Sequence, residues 1–421
     1  MDSNEGKRLG IFYDVGSASP LSIYAASIDL CEIVFVVNKP NLSKYDINQL
    51  DILSIQKNIE VIDVDGLSEQ EIFEVLKKEK LSGILTFSEY QMQNVIKYSN
   101  MLGMDNFDSV NVNEVTNKYF QRKKLNKQGV SNIQCQLVDK LTFDINKWNK
   151  YPAIVKPCKG AGSLLVNKVN SKKELEVLLM SLDKNIEFFI EEYIPDNMKN
   201  EKNFCGNYVS VETIHLDGKS IQICITGKFP QLNNYSETGM FLPFEAPDEL
   251  TQKILKLESN AIKALNIKNG ITHTEIKLAV NGPEIIEVNY RLGGYVPELI
   301  KRLTGMDMVK IAMENILKFP LPSLNKSFFN NKKTQKVFQY FLHAPEGKFK
   351  IKNICGLEEI KEAKGVQLVQ LTKNIGDILD SSKGTQNHCG IVYGSAENTK
   401  EMEKIINNVN NLFQLKLSKF D

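Results

Sequence analysis

The chain has 421 residues, 42% of them hydrophobic and 24% charged, with 52 Lys plus Arg against 51 Asp plus Glu and a formal net charge of +1. That length fits about two to four domains with sizeable cores. The near-neutral balance excludes the basic footprint of a nucleic-acid binder and polybasic attraction to an anionic membrane. No apolar run approaches the ~20 residues that span a bilayer, and the start, Met1 to Arg8, lacks the apolar core of a signal peptide. The seven cysteines are scattered and never spaced C-x-x-C, so they read as free thiols in a reducing compartment. The four histidines show no metal-binding pair spacing. The expectation is a soluble cytoplasmic protein.

In chain order, Leu9–Tyr13, Ile33–Val37, Val61–Val64 and Gly83–Phe87 read as buried strands alternating with helix-like stretches. Ser68 and Glu71 form a capping box ahead of Ile72, Val75 and Leu76 at helical spacing. This alternation predicts a parallel sheet, without the glycine fingerprint of dinucleotide binding. A helix is predicted from about Asn113 to Gly129. Strands follow at Ala153–Lys156, Leu164–Val169, Phe188–Tyr193, Tyr208–Leu216, Ser220–Thr226, Ile271–Val280 and Glu284–Tyr290. Helices are expected at Ser171–Leu182, opened by a second capping box (Ser171, Glu174), and at Asp248–Leu265, Val296–Thr304 and Asp307–Leu317, with a stop at Pro320 and Pro322. Leu324–Lys336 is polar and reads as a linker. Beyond it lie strands near Val337–His343 and Val366–Leu371 and a closing helix near Thr399–Leu412. The fold class is α/β followed by α+β.

The chemistry concentrates in the stretch from Ile271 to Arg291, two strands joined at Asn281-Gly282. Alternation puts His273, Glu275 and Lys277 on one face of the first strand, and Glu287, Asn289 and Arg291 on one face of the second. Register decides whether those faces coincide. A two-residue Asn-Gly loop pairs Val280 with Pro283 and sends the two glutamates to opposite sides. A three-residue loop with Gly282 left-handed pairs Ala279 with Pro283 and sets Glu275 opposite Glu287. Two such carboxylates stay ionised together around a divalent cation, and an asparagine oxygen nearby suits Mg²⁺ with bound phosphate. Arg291 lies within reach of a transferring phosphoryl group. A solvated hairpin is the competing reading, but it has no need of Asn289 or of Gly293-Gly294.

Two weaker pieces accompany it. Lys156 ends an apolar strand and leads into Gly160, Gly162 and Ser163, which read equally as a plain hairpin turn or as a small-residue loop able to offer amides to phosphate oxygens. It is not a P-loop, because the G-x-x-x-x-G-K-[ST] pattern is missing. Phe188 to Pro195 is an apolar strand ending in Glu191, Glu192, Tyr193 and Ile194.

Together these pieces resemble the ATP-grasp superfamily of ADP-forming carboxylate–amine ligases, over about Asn113 to Leu317. The resemblance implies an N-terminal parallel α/β (pre-ATP-grasp) domain at 1–112, an ATP-grasp domain at 113–323 and a smaller C-terminal domain at 324–421. It implies ATP and Mg²⁺ as cofactors, with Mn²⁺ as a substitute metal. Lys118 and Lys156 then contact ATP phosphates, Gly160, Gly162 and Ser163 close over them, and Glu191, Glu192, Tyr193 and Ile194 hold the adenine edge through main chain. Glu275, Glu287 and Asn289 match magnesium ligands, and Arg291 matches the arginine that steadies an acyl phosphate or tetrahedral species. Within the superfamily the chain looks most like the bacterial L-amino-acid ligases, which make dipeptides. Tyr208 to Glu212, Lys228 to Gln231 and Gly270 to Leu278 carry that likeness. It places Lys228 beside the cofactor and Glu89, Glu212 and Gly294 at the amino-acid pocket. The pattern departs at Tyr208, where many relatives hold the ribose with a glutamate, and at Thr226, where some carry a histidine. His273 reads as a structural strand residue, and Asp377 and Asp380 as surface loop charges.

The implied partners are small amino acids, with no nucleic acid, no membrane and room for a homodimer. The alternative function is an ATP-grasp ligase loading an amino acid or other carboxylate onto a carrier-protein thiol or another amine. Lys123-Lys124 and Lys332-Lys333 are the candidate basic patches for such a carrier, with ordinary solvated faces as the competing reading. A non-catalytic nucleotide binder is the third reading, and an intact Glu275, Glu287, Asn289 and Arg291 set argues against it.

Overall fold

Short apolar runs, each followed by a helical segment, give the N-terminal region its parallel sheet. In the computed structural model, which describes residues 6–107, 109–139, 143–197, 204–232, 235–320 and 335–419, these runs are β1 (Arg8–Tyr13), β2 (Glu32–Val37), β3 (Ile59–Asp63) and β4 (Gly83–Leu85). They pair in parallel in the order β3-β2-β1-β4. The Ser68–Glu71 box forms as predicted, each side chain bonding the other's amide. Because β4 lies on the opposite side of β1 from β2, the strand order reverses there. The carboxyl ends of β1 and β4 therefore flank a crevice of the kind that holds ligands in open α/β sheets. Glu89 follows β4 at that crevice, at the start of a short 3₁₀ turn, Glu89–Gln91.

The helix predicted over Asn113–Gly129 is two helices, Val112–Thr116 and Lys118–Lys127. Asn117 breaks it by taking an extended backbone, and its side chain accepts from the amides of Tyr119 and Phe120. Asparagine competes well for such a capping role, and the N-terminus it creates begins at Lys118. A small antiparallel sheet follows, made of β5 (Cys135–Leu137), β6 (Ala153–Pro157), β7 (Asn167–Val169) and β8 (Phe188–Glu192) in the order β5-β8-β6-β7. It packs a core of its own around Trp148, Val155, Leu175 and Ile190. β7 is shorter than the predicted Leu164–Val169, because Ser163 and Leu165 take positive φ of 58° and 55° and extend the turn. At the second predicted box, Ser171 accepts from the Glu174 amide, but Glu174 reaches the Asn170 amide instead of that of Ser171.

The remaining strands are β9 (Tyr208–Leu216), β10 (Lys219–Lys228), β11 (Gly239–Leu242), β12 (Gly270–Ala279), β13 (Gly282–Asn289), β14 (Lys336–His343), β15 (Lys348–Cys355), β16 (Val366–Leu371), β17 (Ile378–Asp380), β18 (His388–Ala396) and β19 (Gln414–Lys419). Eight of them form one sheet in the order β13-β12-β9-β10-β11-β14-β18-β16, and β17-β15-β19 form a second. Strands on both sides of residues 321–334 thus share one sheet. The predicted linker, Pro322 and Lys332-Lys333 fall wholly or largely outside the described residues. Sequence periodicity missed β5, β11, β15, β17, β18 and β19. Buried residues of the parallel sheet, such as Ile11 and Ile84, share one continuous core with Ile214 and Ile276 of the eight-stranded sheet and with Leu299 and Ile316 of two helices, Val296–Thr304 and Met308–Ile316. Among the described residues no helix is long and apolar enough to cross a membrane.

Candidate active site

The hairpin β12–β13 brings the two predicted carboxylates together, by a route neither loop reading contained. Ala279 pairs with Gly282, so the two loop residues are Val280 and Asn281, and Gly282 takes a φ of 114°. Continued without change, that register would separate the glutamates. A bulge at Ile286 shifts it by one residue, and Glu275 then pairs with Glu287 and His273 with Asn289.

The bulge has a physical support that sequence reading missed. β13 is the edge of the sheet, so its outward main-chain groups need partners from elsewhere. The helix Lys118–Lys127 supplies them. Arg122 donates to the Ile285 carbonyl at 2.8 Å and to the Ile286 carbonyl at 2.9 Å. Gln121 both donates to the Val288 carbonyl and accepts from its amide, at 2.8 and 2.7 Å. Arg122 is only 2% exposed, and its Nε also meets the Glu191 carboxylate at 3.0 Å.

The same helix starts at Lys118, whose ammonium lies 2.5 Å from Glu287, while its amide donates to Cys158 at the end of β6. Burial alone would raise the Glu287 pKa, but Lys118 and Lys156 override it and hold the carboxyl down to about 2. Lys156 is 2.7 Å from Glu191. Burial would also raise Glu191, and the Lys156 and Arg122 charges lower it instead. The Glu191 side chain is therefore committed to its neighbours, and its main chain lies between β5 and β6, opposite Cys135 and Ile154. Glu192, Tyr193 and Ile194 stand at the end of β8. The Glu192 amide donates to Gln134, the Tyr193 amide to Pro152, and the Tyr193 phenol to Asp196.

Arg291 extends from the end of β13 towards the parallel sheet. Its Nε meets Glu89 at 2.9 Å, and its Nη2 donates to Asn289 at 3.2 Å, while the Asn289 amide donates to Glu287 at 3.1 Å. Glu89, Lys118, Glu287 and Asn289 line one polar cleft with Thr116, Asn117 and Gln121. A second, mainly apolar cavity beside Arg291 is lined by Leu85, Phe87, Met92 and Leu292.

Glu212 and His273 sit beneath these groups. His273 Nδ1 lies 2.8 Å from Glu212 Oε1, and its Nε2 lies 3.5 Å from Glu275. Burial would lower the imidazole pKa, yet the Glu212 charge raises it to about 9, so the ring is an imidazolium at neutral pH. Glu212 is fully buried, and Ser210 also donates to it at 2.9 Å. The glycine at Gly293 has a steric cause: a Cβ there would lie 2.3 Å from His273 Nδ1. A Cβ at Gly294 would meet open space.

Glu237 is a second residue that sequence reading missed. It lies just before β11, 2.9 Å from the buried Lys228 ammonium, and accepts from Tyr208 at 3.2 Å. Burial would raise its pKa, and Lys228 lowers it. Tyr208, the position at which the family resemblance leads one to expect a carboxylate, has the Glu237 carboxylate at its phenol. Its neighbour Thr238 precedes a glycine, a pattern indistinguishable in sequence from an ordinary turn.

A model of the ATP-grasp domain matches residues 149–297, a stretch that holds Lys156, Lys228, Glu275, Glu287, Asn289 and Arg291. The chain carries an ATP-grasp domain. An alanine–anticapsin ligase of Bacillus subtilis (strain 168) is 35% identical over 112 residues, 26% of this chain and 23% of that protein. The matched part thus spans under a quarter of that relative's length. An L-arginine-specific L-amino acid ligase of Bacillus subtilis is 24% identical over 315 residues, 72% of each chain. The crystal structure of an L-amino acid ligase from Bacillus licheniformis superposes with a TM-score of 0.77 at 22% identity, covering 99% of both chains, and shows the ATP-grasp fold throughout.

The donor set suits a divalent cation. Among the described residues no group of three or more His, Cys, Asp or Glu could hold a metal ion, so the candidate site here is two carboxylates and an amide oxygen. Hard oxygen donors of that number fit Mg²⁺, which keeps water and phosphate oxygens in its remaining positions.

Proposed function

We propose that this protein is an ATP-dependent, ADP-forming ligase that joins two L-amino acids through an acyl phosphate. The pairing of Glu275 with Glu287, beside Lys118 and within an ATP-grasp domain, carries the reading. Similarity to amino acid ligases supports the choice of substrate class. In this reading residues 1–112 supply Glu89, residues 113–323 hold the nucleotide, and residues 324–421 close the site from the other side.

A carboxylate and an amine do not condense in water, so the carboxylate oxygen first attacks the γ-phosphorus of ATP and ADP leaves. The amine of the second amino acid then attacks the acyl carbon, and phosphate departs with that carboxylate oxygen. Phosphoryl transfer depends mainly on positioning and charge neutralisation. Lys118 and Lys156 place two positive charges at the phosphates, and Arg291 holds a third between Glu89 and Asn289. Glu275, Glu287 and Asn289 would hold Mg²⁺, which neutralises phosphate charge when bound. Glu89, at the crevice of the parallel sheet, meets the ammonium of an amino acid when Arg291 turns to substrate. Gly160, Gly162 and Ser163 exclude water, which would hydrolyse the acyl phosphate.

The test is ADP release by the purified protein with Mg-ATP and pooled amino acids. Release that requires amino acids, with a dipeptide detected by mass spectrometry, supports the reading. Release that requires a carrier protein or another amine instead would replace the acceptor, and no release under any condition would remove the activity.

A further inference from the structure

Ser381–Gln386 form a 3₁₀ segment, kinked at Gly384, between β17 and β18. It touches the site at two points through one residue. The Thr385 amide donates to the Gly162 carbonyl at 3.1 Å, and the Thr385 hydroxyl accepts from the Glu237 amide at 3.1 Å. Gly162 belongs to the glycine loop, and Glu237 carries the carboxylate bound to Lys228 and Tyr208. Thr385 is 7% exposed, so both bonds are sheltered from water.

The neighbouring residue fits that contact closely. Gly384 has φ 56° and ψ −136°, a region open essentially to glycine. A Cβ there would lie 2.4 Å from the Gly162 carbonyl oxygen. From the other side Ser163 donates to the Tyr235 carbonyl at 2.9 Å, two residues before Glu237. The loop and the Glu237 segment are therefore tied to each other directly and through Thr385. The small sheet that carries the loop has its own core, so it can tilt as a unit, and contacts at its rim decide where it rests.

We infer that Thr385 is a positioning residue that clasps the glycine loop and Glu237 into one working geometry over the site. The inference rests on the reading of Gly160–Ser163 as the cover of the ATP phosphates. It gives the C-terminal region a part in the reaction without a group that touches substrate. It also links loop closure to the Lys228–Glu237 pair, so the loop settles only when both sides are in place.

Three full-length variants test it: Thr385→Val removes the acceptor and keeps the shape, Thr385→Ser restores a hydroxyl, and Gly384→Ala wedges the contact apart. Hydrogen exchange of peptides covering 235–239 and 381–387 reads the clasp, because they carry the Glu237 and Thr385 amides that form its two bonds. The KM for ATP, and dipeptide formed per ADP released, read its use. The expected result for Thr385→Val is faster exchange at the Glu237 amide, which loses its acceptor, with an ATP KM raised about fivefold or more and fewer dipeptides per ADP as water reaches the acyl phosphate. Thr385→Ser should return all three towards wild type, and Gly384→Ala should exceed Thr385→Val. If Gly384→Ala fails to fold, the valine–serine pair decides alone. Unchanged exchange in Thr385→Val overturns the inference, and so does faster exchange with wild-type KM and coupling. Failure of the ligase reading is separate: wild type then releases no ADP in response to amino acids, and ATP affinity takes the place of KM.

Discussion

The guanidinium of Arg122 holds the carbonyl of Ile286, at 2.9 Å, at the one point where β13 bulges. One residue of slip in a strand turns every side chain to the other face, so this contact governs where Glu287 points. It joins a helix to a hairpin 164 positions further along the chain. Arg122 also binds Glu191, the partner of Lys156, so one buried side chain fixes both the carboxylate pair and the strand beside the nucleotide.

Arg122→Lys keeps a charge for Glu191 but cannot span two carbonyls and a carboxylate. Breaking that buried network should cost about 2–4 kcal/mol, read by urea unfolding. The Mg²⁺ concentration for half-maximal activity should rise in the same variant. An unchanged metal titration would mean that the bulge holds without this arginine.

Gly293 and Gly294 are adjacent and should behave differently. Gly293→Ala drives a methyl into the His273 ring and should lower stability by roughly 1–3 kcal/mol, the usual cost of overpacking. Gly294→Ala meets open space and should leave the thermal midpoint near wild type. Equal midpoints for the two variants would contradict the packing described for His273.

Glu258 predicts a pH dependence away from the site. It lies fully buried on the helix Asp248–Ala264, accepting from Thr213 at 2.8 Å and Gln222 at 2.7 Å. Burial raises its pKa to about 7. A raised carboxyl pKa favours the protonated folded form, so its contribution is full below the unfolded value and is lost as pH rises through about 7. The range is at most about 3 kcal/mol. Glu258→Gln removes the titration. Its thermal midpoint relative to wild type should be higher at about pH 8 than at about pH 5, and a difference independent of pH would refute the assignment.

Arg291→Ala should bind ATP nearly as wild type and lose turnover by about a hundredfold or more. Nucleotide titration and steady-state rates separate the two effects. Full activity in this variant would remove its role in charge stabilisation.

Local patterns carried much of the fold. Tyr208–Leu216, Val296–Thr304 and Thr399–Leu412 lie where the sequence pattern puts them: the strand is buried along nearly its whole length, the first helix ends at the left-handed Gly305, and the second is capped by Asn398. The pairing of Glu275 with Glu287 was legible only as one of two registers. The structure reaches that pairing through a bulge whose cause is distant in sequence. Arg122 was unreadable because it sits beside Lys123 and Lys124, in what looks like a solvated basic face. Glu237 was hidden for a different reason: its partners Lys228 and Tyr208 come from other strands. The split of the Asn113–Gly129 helix at Asn117 was local, yet it turned on a single side chain competing with the helix for its own amides.

The central claim is that a carboxylate oxygen passes to phosphorus between Glu275, Glu287 and Arg291. Amino acid labelled with heavy oxygen in its carboxylate, incubated with Mg-ATP and the protein, tests it directly. Mass spectrometry of the released phosphate should find one labelled oxygen for each dipeptide made. Phosphate free of label, or label recovered in AMP, would contradict the account.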